Sequence, residues 1–332
     1  MDGPLPWPGD LTPVFSSAIT AEYASLTVTG APVTVPATPY VGEGTLDVST
    51  GLTYPTKAER ARRNPRVCLL FADPVGAGTG GPVVAVQGMA AVRDADLQAN
   101  ADRYVRVSLA KLPDATKGLP RSVLRRMAWY YARIWVEITP VRILGWEDRS
   151  LVGDPEVWTS PERSWPESDP APGGTPPPAW RPAPGSWSEA ARYALASLPW
   201  CDLTVVDADG FPLVVPVVTP AIHPEGFTLQ VGPGAPWPSV DGLTDGLDAC
   251  VTFHVHGERF TGQENRTFAG RFDPEDRVFR VDRALGGWSL PGGKARVAAG
   301  FLDSGRRLRP RLRAEAVRRH QPVPKVRFPG EY

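Results

Sequence analysis

The chain has 332 residues, 42% of them hydrophobic, enough for one large domain or two ordinary ones. Its 36 Lys and Arg balance its 36 Asp and Glu, which argues against a protein built mainly to grip nucleic acid through clustered cations. Charged residues at 22% and aromatics at 9% argue against wholesale disorder, while 38 Pro and 33 Gly favour short strands, many turns and an extended linker.

Three cysteines, Cys68, Cys201 and Cys250, are too few for a disulfide framework. None lies in a CxxC pair, so a reduced, cytoplasmic setting is expected and a zinc ribbon is not. The opening MDGPLPWPGD lacks the cationic start and apolar run of a signal peptide. No run of 18 apolar residues is present, so no membrane partner is expected, and the balanced charge leaves nucleic acid unexpected as well.

In chain order, the first half offers short β-branched runs, YASLTV, APVTVPATPYV and GTLDVSTG, separated by Gly and Pro turns. A short helix, AERARR, follows Lys57, and Asn64-Pro65 stops it. Residues 83–92, VVAVQGMAAV, read as a strand in which Gly88 marks a bulge or a close backbone approach. Residues 94–112 read as a helix with Asp caps, residues 120–135 as a second helix opened by Pro120, and residues 133–147 as a return to strand.

Residues 152–187 are crowded with proline, from Pro155 to Pro184, which suits neither a helix nor a central strand. The segment reads as an extended linker. Its Trp158, Trp165, Trp180 and Trp187 suggest that it packs along a domain surface. The second half is again strand-rich, with PWCDLTV, FPLVVPVVTPAI and GFTLQVGPG, and Asp209-Gly210 is a hairpin signal. It ends in LDSGRRLRPRLRAEAVRRH, a basic and helical tail interrupted at Pro310 whose arginines (306, 307, 309, 311, 313, 318 and 319) read as a solvated face.

The two halves resemble each other. Leu26-Thr27-Val28 matches Leu203-Thr204-Val205, Pro32 and Pro36 match Pro212 and Pro216, and the apolar run around Cys68 matches that around Cys250. Three blocks in the same order at an offset near 180 indicate a duplicated domain. The expected fold is mainly β with α, with a small barrel in each half. The expected division is a barrel over residues 1–150, the linker over 151–187 and a degenerate second barrel with its basic tail over 188–332.

The chemistry concentrates in LDVSTGLTYPTKAERARRNPRVCLLF, residues 46–71. A strand delivers Ser49, Thr50 and Gly51 into a turn, and Lys57 opens a helix just beyond it. Hydroxyls, backbone N–H groups and a lysine near a helix start make a phosphate cradle.

This order of strand, Ser-Thr, lysine, short helix, Asn-Pro-Arg-Val and apolar strand resembles the pyridoxamine 5′-phosphate oxidase-like, FMN-binding split-barrel superfamily. APVTVPATPYV and VVAVQGMAAV are similar to two further strands of that family. The resemblance runs over residues 21–148 and, more weakly, over 188–302, and it implies a mainly β with α fold of two tandem split β-barrels forming an intrachain pseudo-dimer. It implies a flavin- or deazaflavin-dependent oxidoreductase, with FMN as cofactor, F420 as the alternative and heme as a third. It implies that Ser49, Thr50 and Lys57 hold the cofactor phosphate. The strand with Thr34, Val35, Pro36 and Ala37 then flanks the ring, and Gln87 and Gly88 border the same pocket. A small-molecule substrate and either a monomeric pseudo-dimer or a homodimer follow from it, while no residue is marked as general acid or base. A binding protein without turnover is the alternative function.

The second half departs from the pattern. Gly232-Pro233 stands where Ser49-Thr50 stood, and no Lys or Arg lies between Val231 and Val251, so no second cradle is expected. Arg259, Arg266 and Arg271 read as surface charges, with reach across to the first half as the alternative. His254 and His256 alternate along a strand and share one face. With no carboxylate or Cys at ligand spacing, they read as ordinary histidines on a half-exposed face, and no metal site is expected. Cys68 and Cys250 read as small buried hydrophobes, and the Trp129-Tyr130-Tyr131 run as helix core.

Overall fold

The computed structural model describes residues 6–72, 81–113, 120–161, 164–175, 186–237, 246–257, 262–290 and 294–331. The first barrel is built from β1 (Ala21–Leu26), β2 (Pro32–Ala37), β3 (Pro39–Val41), β4 (Leu46–Gly51), β5 (Arg66–Phe71), β6 (Val83–Arg93) and β7 (Arg133–Trp146), and β8 (Glu156–Thr159) is added on β7. Helices α1 (Thr12–Ser17), α2 (Thr56–Arg63), α3 (Leu97–Lys111), α4 (Arg121–Leu124) and α5 (Ala128–Tyr131) accompany it. Helix α6 (Trp187–Ser197) precedes the second barrel of β9 (Trp200–Val206), β10 (Pro212–His223), β11 (Gly226–Val231), β12 (Leu247–Val255), β13 (Gln263–Asp273) and β14 (Val278–Leu290), and α7 (Lys294–Arg318) follows it.

Strand order in the first sheet is β2-β1-β5-β6-β7-β4-β3. Its two ends, β2 and β3, are separated by Thr38 alone, so the sheet must curl round to meet itself. The second barrel closes in the ring β10-β11-β14-β13-β12-β9. Strand for strand this is the same order, with the long β10 taking the places of both β2 and β3. A register shift between Val217 and Thr219 bends it across the corner. Cys68 pairs Ala24 on β1 as Cys250 pairs Thr204 on β9, so the two cysteines are equivalent as the repeat expects, but Thr204 corresponds to Ala24 rather than to Thr27 and the Leu-Thr-Val blocks are offset by three residues in the ladders.

Turn chemistry sets these hairpins. Gly210 adopts φ +81°, which a side chain disfavours, and Asp207 Oδ1 accepts from the N–H groups of Asp209 and Phe211 to close the β9–β10 turn. Gly88 sits at a register shift between β6 and β7, and a Cβ there would stand 2.5 Å from Ile138 Cγ2 and 2.7 Å from the Thr139 carbonyl. Gly88→Ala is therefore expected to cost about 1–3 kcal/mol through overpacking, read as a lower urea midpoint at unchanged slope.

Two sequence expectations change in the structure. Residues 120–135 form two single helical turns rather than one helix, because β7 begins at Arg133 and draws Ile134 and Trp135 into ladders with β4 and β6. Sheet pairing overrides local propensity there. Helix α7 runs through Pro310 without a break. Its second half is anchored by Leu312 and Ala316 in the core of the first barrel.

The expected solvated arginine face is also only partly present. Arg309 and Arg313 are exposed. Arg319 is buried against Asp94 at 2.9 Å and against Glu315, and Arg318 lies 2.6 Å from Glu59. Beyond the helix, Gln321 donates to the Asp94 carbonyl and accepts from the Leu97 N–H, and Phe328 joins the Tyr40–Tyr104–Trp135 cluster. The C-terminal segment thus returns to the first barrel.

The linker is docked, as its tryptophans suggest. Strand β8 pairs β7, Trp158 packs on the first core, and Asp169 Oδ2 accepts from the Asp94 and Ala95 N–H groups. Trp180 lies outside the described residues. One hydrophobic core joins Ala24, Cys68, Leu70 and Ala85 of the first barrel to Leu203, Val215 and Phe253 of the second. Among the described residues no helix is long and apolar enough to cross a membrane.

The three cysteines are buried and unbridged. Burial pushes the Cys68 thiol up to about 12 and the Cys250 thiol up to about 11, and raises that of Cys201 well above its usual value. All three should resist an aromatic disulfide reagent in native protein and react together once it is unfolded.

Candidate functional site

Strand β4 carries Ser49 and Thr50, and helix α2 carries Lys57. Ser49 is half-buried on β4, paired with Trp135, and Thr50 is buried beside it. The Thr50 hydroxyl donates to the Tyr54 carbonyl at 2.8 Å, so it closes the turn itself. Lys57 stands in the first turn of α2, and its Nζ donates to the Pro36 carbonyl over a long 3.4 Å. Burial, helped by the charges of Arg133 and Arg60 and opposed by Glu22, pushes the Lys57 pKa down to about 8.

Arg133 is a member of this group that sequence reading missed. It is the β7 partner of Gly51, and a Cβ on Gly51 would lie 3.8 Å from its Nη1. Its guanidinium lies 4.2 Å from the Tyr104 ring centre and 4.7 Å from that of Tyr130, and it donates to the Tyr104 hydroxyl at 3.0 Å. Arg311 of α7 stacks over Tyr54 at 5.3 Å. Only the β4–β7 register and the return of α7 could reveal these two. Mutually repelling cations, a half-buried hydroxyl and a lysine held by one long hydrogen bond fit a bound phosphate.

The expected ring wall is engaged differently. Thr34 is buried, its hydroxyl 2.5 Å from that of Thr204, and its carbonyl accepts from Thr252 at 3.4 Å. Gln87 is also buried. Its Nε2 donates to Asp207 at 2.8 Å and to the Pro212 carbonyl at 3.2 Å, and its Oε1 accepts from Arg142 at 2.7 Å. Val35 packs on the first core, Ala37 is buried, Pro36 serves Lys57, and Gly88 carries the bulge. Thr34 and Gln87 therefore tie the barrels to each other.

The equivalent place in the second barrel is filled by the chain itself. A Cβ on Gly232 would stand 1.9 Å from the Ser150 carbonyl, so the start of the linker occupies that corner. Arg266 pairs with Glu264 at 2.7 Å and Arg271 with Asp248 at 3.5 Å, both within the second barrel. Arg259 lies outside the described residues.

The histidines stand far from the expected half-exposed face. His254 and His256 are buried, with rings stacked 4.7 Å apart. The carboxylates that meet them come from other strands. His254 Nε2 is 2.6 Å from Asp202 Oδ2 on β9, and His256 Nε2 is 3.0 Å from Glu22 Oε1 on β1 of the first barrel. Asp202 also meets Arg149 at 3.1 Å. Burial raises the Asp202 pKa, but His254 and Arg149 outweigh it and hold the carboxyl below its usual range.

The fold and this geometry define a two-barrel, mainly β protein with a cationic cluster at the β4–α2 turn. No family model matches the chain, and no curated protein matches it. Similar solved structures include a pyridoxamine 5′-phosphate oxidase-related, FMN-binding protein from Nostoc punctiforme, at 13% identity over 44% of this chain and 86% of its own, TM-score 0.30. An F420 reductase matches at 14% identity over 41% of this chain and 98% of its own, TM-score 0.32. The General Stress Protein 26 from Bacillus anthracis matches at 17% identity over 45% of this chain and 95% of its own, TM-score 0.29.

Proposed function

We propose that this protein is a flavin- or deazaflavin-dependent oxidoreductase acting on a small molecule, with the cofactor phosphate held at Ser49 and Lys57. The observation that carries this reading is Lys57, held only by a long 3.4 Å hydrogen bond to the Pro36 carbonyl, together with Arg133, which lies against Gly51 at the end of the strand that carries Ser49. An anion would relieve the repulsion between these two cations. When bound, such a cofactor supplies hydride transfer. The chain's own part is to bind and orient: Lys57 and Arg133 offset the phosphate charge, the Ser49 hydroxyl and turn amides donate to its oxygens, and the apposed second barrel keeps water out.

Lys57→Ala is expected to weaken FMN or F420 binding about 10- to 100-fold, the cost of one charge-assisted contact. Titration into cofactor-free protein measures it. Equal affinity in wild type and variant would remove Lys57 from the site. A wild-type chain that binds neither cofactor would overturn the proposal. The engagement of Thr34 and Gln87 in contacts between the barrels favours a second reading, a binding protein without turnover. It predicts stoichiometric cofactor that no nicotinamide reductant reduces. Because the two barrels bury their shared face within one chain, sedimentation is expected to show a monomer.

A further inference from the structure

Glu22 is 3% exposed and sits on β1, where it faces the second barrel. Among the described residues its ion pairs are with His254 and His256, and its Oε2 has no hydrogen-bond partner there. A buried carboxylate needs a compensating cation. One candidate oxygen or nitrogen from each of Glu22, His254 and His256 lies within 4.8 Å of the others. His254 Nδ1 is 3.9 Å and His256 Nε2 is 3.0 Å from Glu22 Oε1. Ligands bonded at about 2.0–2.2 Å to one tetrahedral ion stand about 3.3–3.6 Å apart, so side-chain rotations must close the triad by about 1 Å.

The surroundings match a ligand shell. Asp202 lies 2.6 Å from His254 Nε2, and the opposite ring nitrogen, Nδ1, lies on the Glu22 side, 3.9 Å from Oε1. Arg149 in turn holds Asp202 at 3.1 Å. A carboxylate behind a histidine in this way is the usual outer support of a metal-bound imidazole. Two imidazoles and one carboxylate suit a borderline first-row ion rather than Ca2+ or Mg2+. Lys57 and Arg60 oppose a cation here, since both act on the same region as Glu22. Direct bonds to three ligands must outweigh that longer-range repulsion.

We propose that Glu22, His254 and His256 bind one divalent first-row transition-metal ion, of the kind Zn2+ represents, joining β1 of the first barrel to β12 of the second. This does not depend on the cofactor reading.

The test is titration of chelator-stripped, full-length protein with Zn2+ against a chromophoric competitor. One equivalent is expected to bind and to raise the melting temperature. Glu22→Gln and His256→Gln should each weaken binding by at least about 100-fold, and Asp202→Asn by about 10- to 100-fold. Should a variant fail to fold, wild type still decides. The chain has four histidines, and Zn2+ should shift the imidazole resonances of two, leaving those of His223 and His320 in place. Folded wild type that takes up no Zn2+, shifts confined to His223 or His320, or affinity unchanged in both ligand variants would overturn the site.

Discussion

Arg319→Ala is expected to destabilise the protein by about 3 kcal/mol, at the lower edge of what breaking a buried ion pair costs. The side chain is 2% exposed, between Asp94 at 2% and Glu315 at 1%. Its loss leaves both carboxylates buried with one partner fewer. Arg62 remains 2.8 Å from Asp94 and Arg318 remains 3.1 Å from Glu315, which is why the cost stays at that edge. Arg309→Ala, on the exposed face of α7, should lie within about 0.5 kcal/mol of wild type. Denaturant midpoints compare the two, and limited proteolysis should release the segment after α7 first in Arg319→Ala. Equal midpoints for both variants would mean that the C-terminal segment is not held as described.

A comparable or larger loss, about 3–5 kcal/mol, is expected for Phe227→Ala. Phe227 is fully buried on β11, with ring centres 5.0 Å from Phe253, 5.1 Å from Phe268 and 6.3 Å from Phe279. Deleting the ring leaves a cavity that four surrounding strands cannot collapse to fill. Phe227 belongs to the core that also contains Ala24, Cys68 and Leu70. Amide protection in β1 and β5 should therefore fall together with that in the second barrel, as hydrogen exchange would show. A loss of protection confined to β9–β14 would show that the barrels are energetically separate.

The same distinction separates what could be read along the chain from what could not. Local chemistry was legible: the Asp209-Gly210 turn, the bulge at Gly88 and the helix at Lys57 follow from residue types at short spacing, and the internal repeat from matched blocks at an offset near 180. The repeat even implied the shared strand order, because each hydrophobic block carries its partners with it. Arg133 was not legible, since its place beside Gly51 depends on the β4–β7 register. The buried role of Arg319 was not legible either, because its partner Asp94 lies 225 residues away.

By itself, then, the sequence determined two barrels of one topology, a docked proline-rich linker and a lysine at a turn, all set by turn residues, periodicity and backbone sterics. Tertiary structure alone decided that Glu22 meets His256 across 234 residues, that Thr34 and Gln87 face Thr204 and Asp207, and that the basic helix returns to the first barrel. The physical reason is that docking two sheets selects contacts by shape and charge across their faces, and no short-range pattern records which strand will lie opposite.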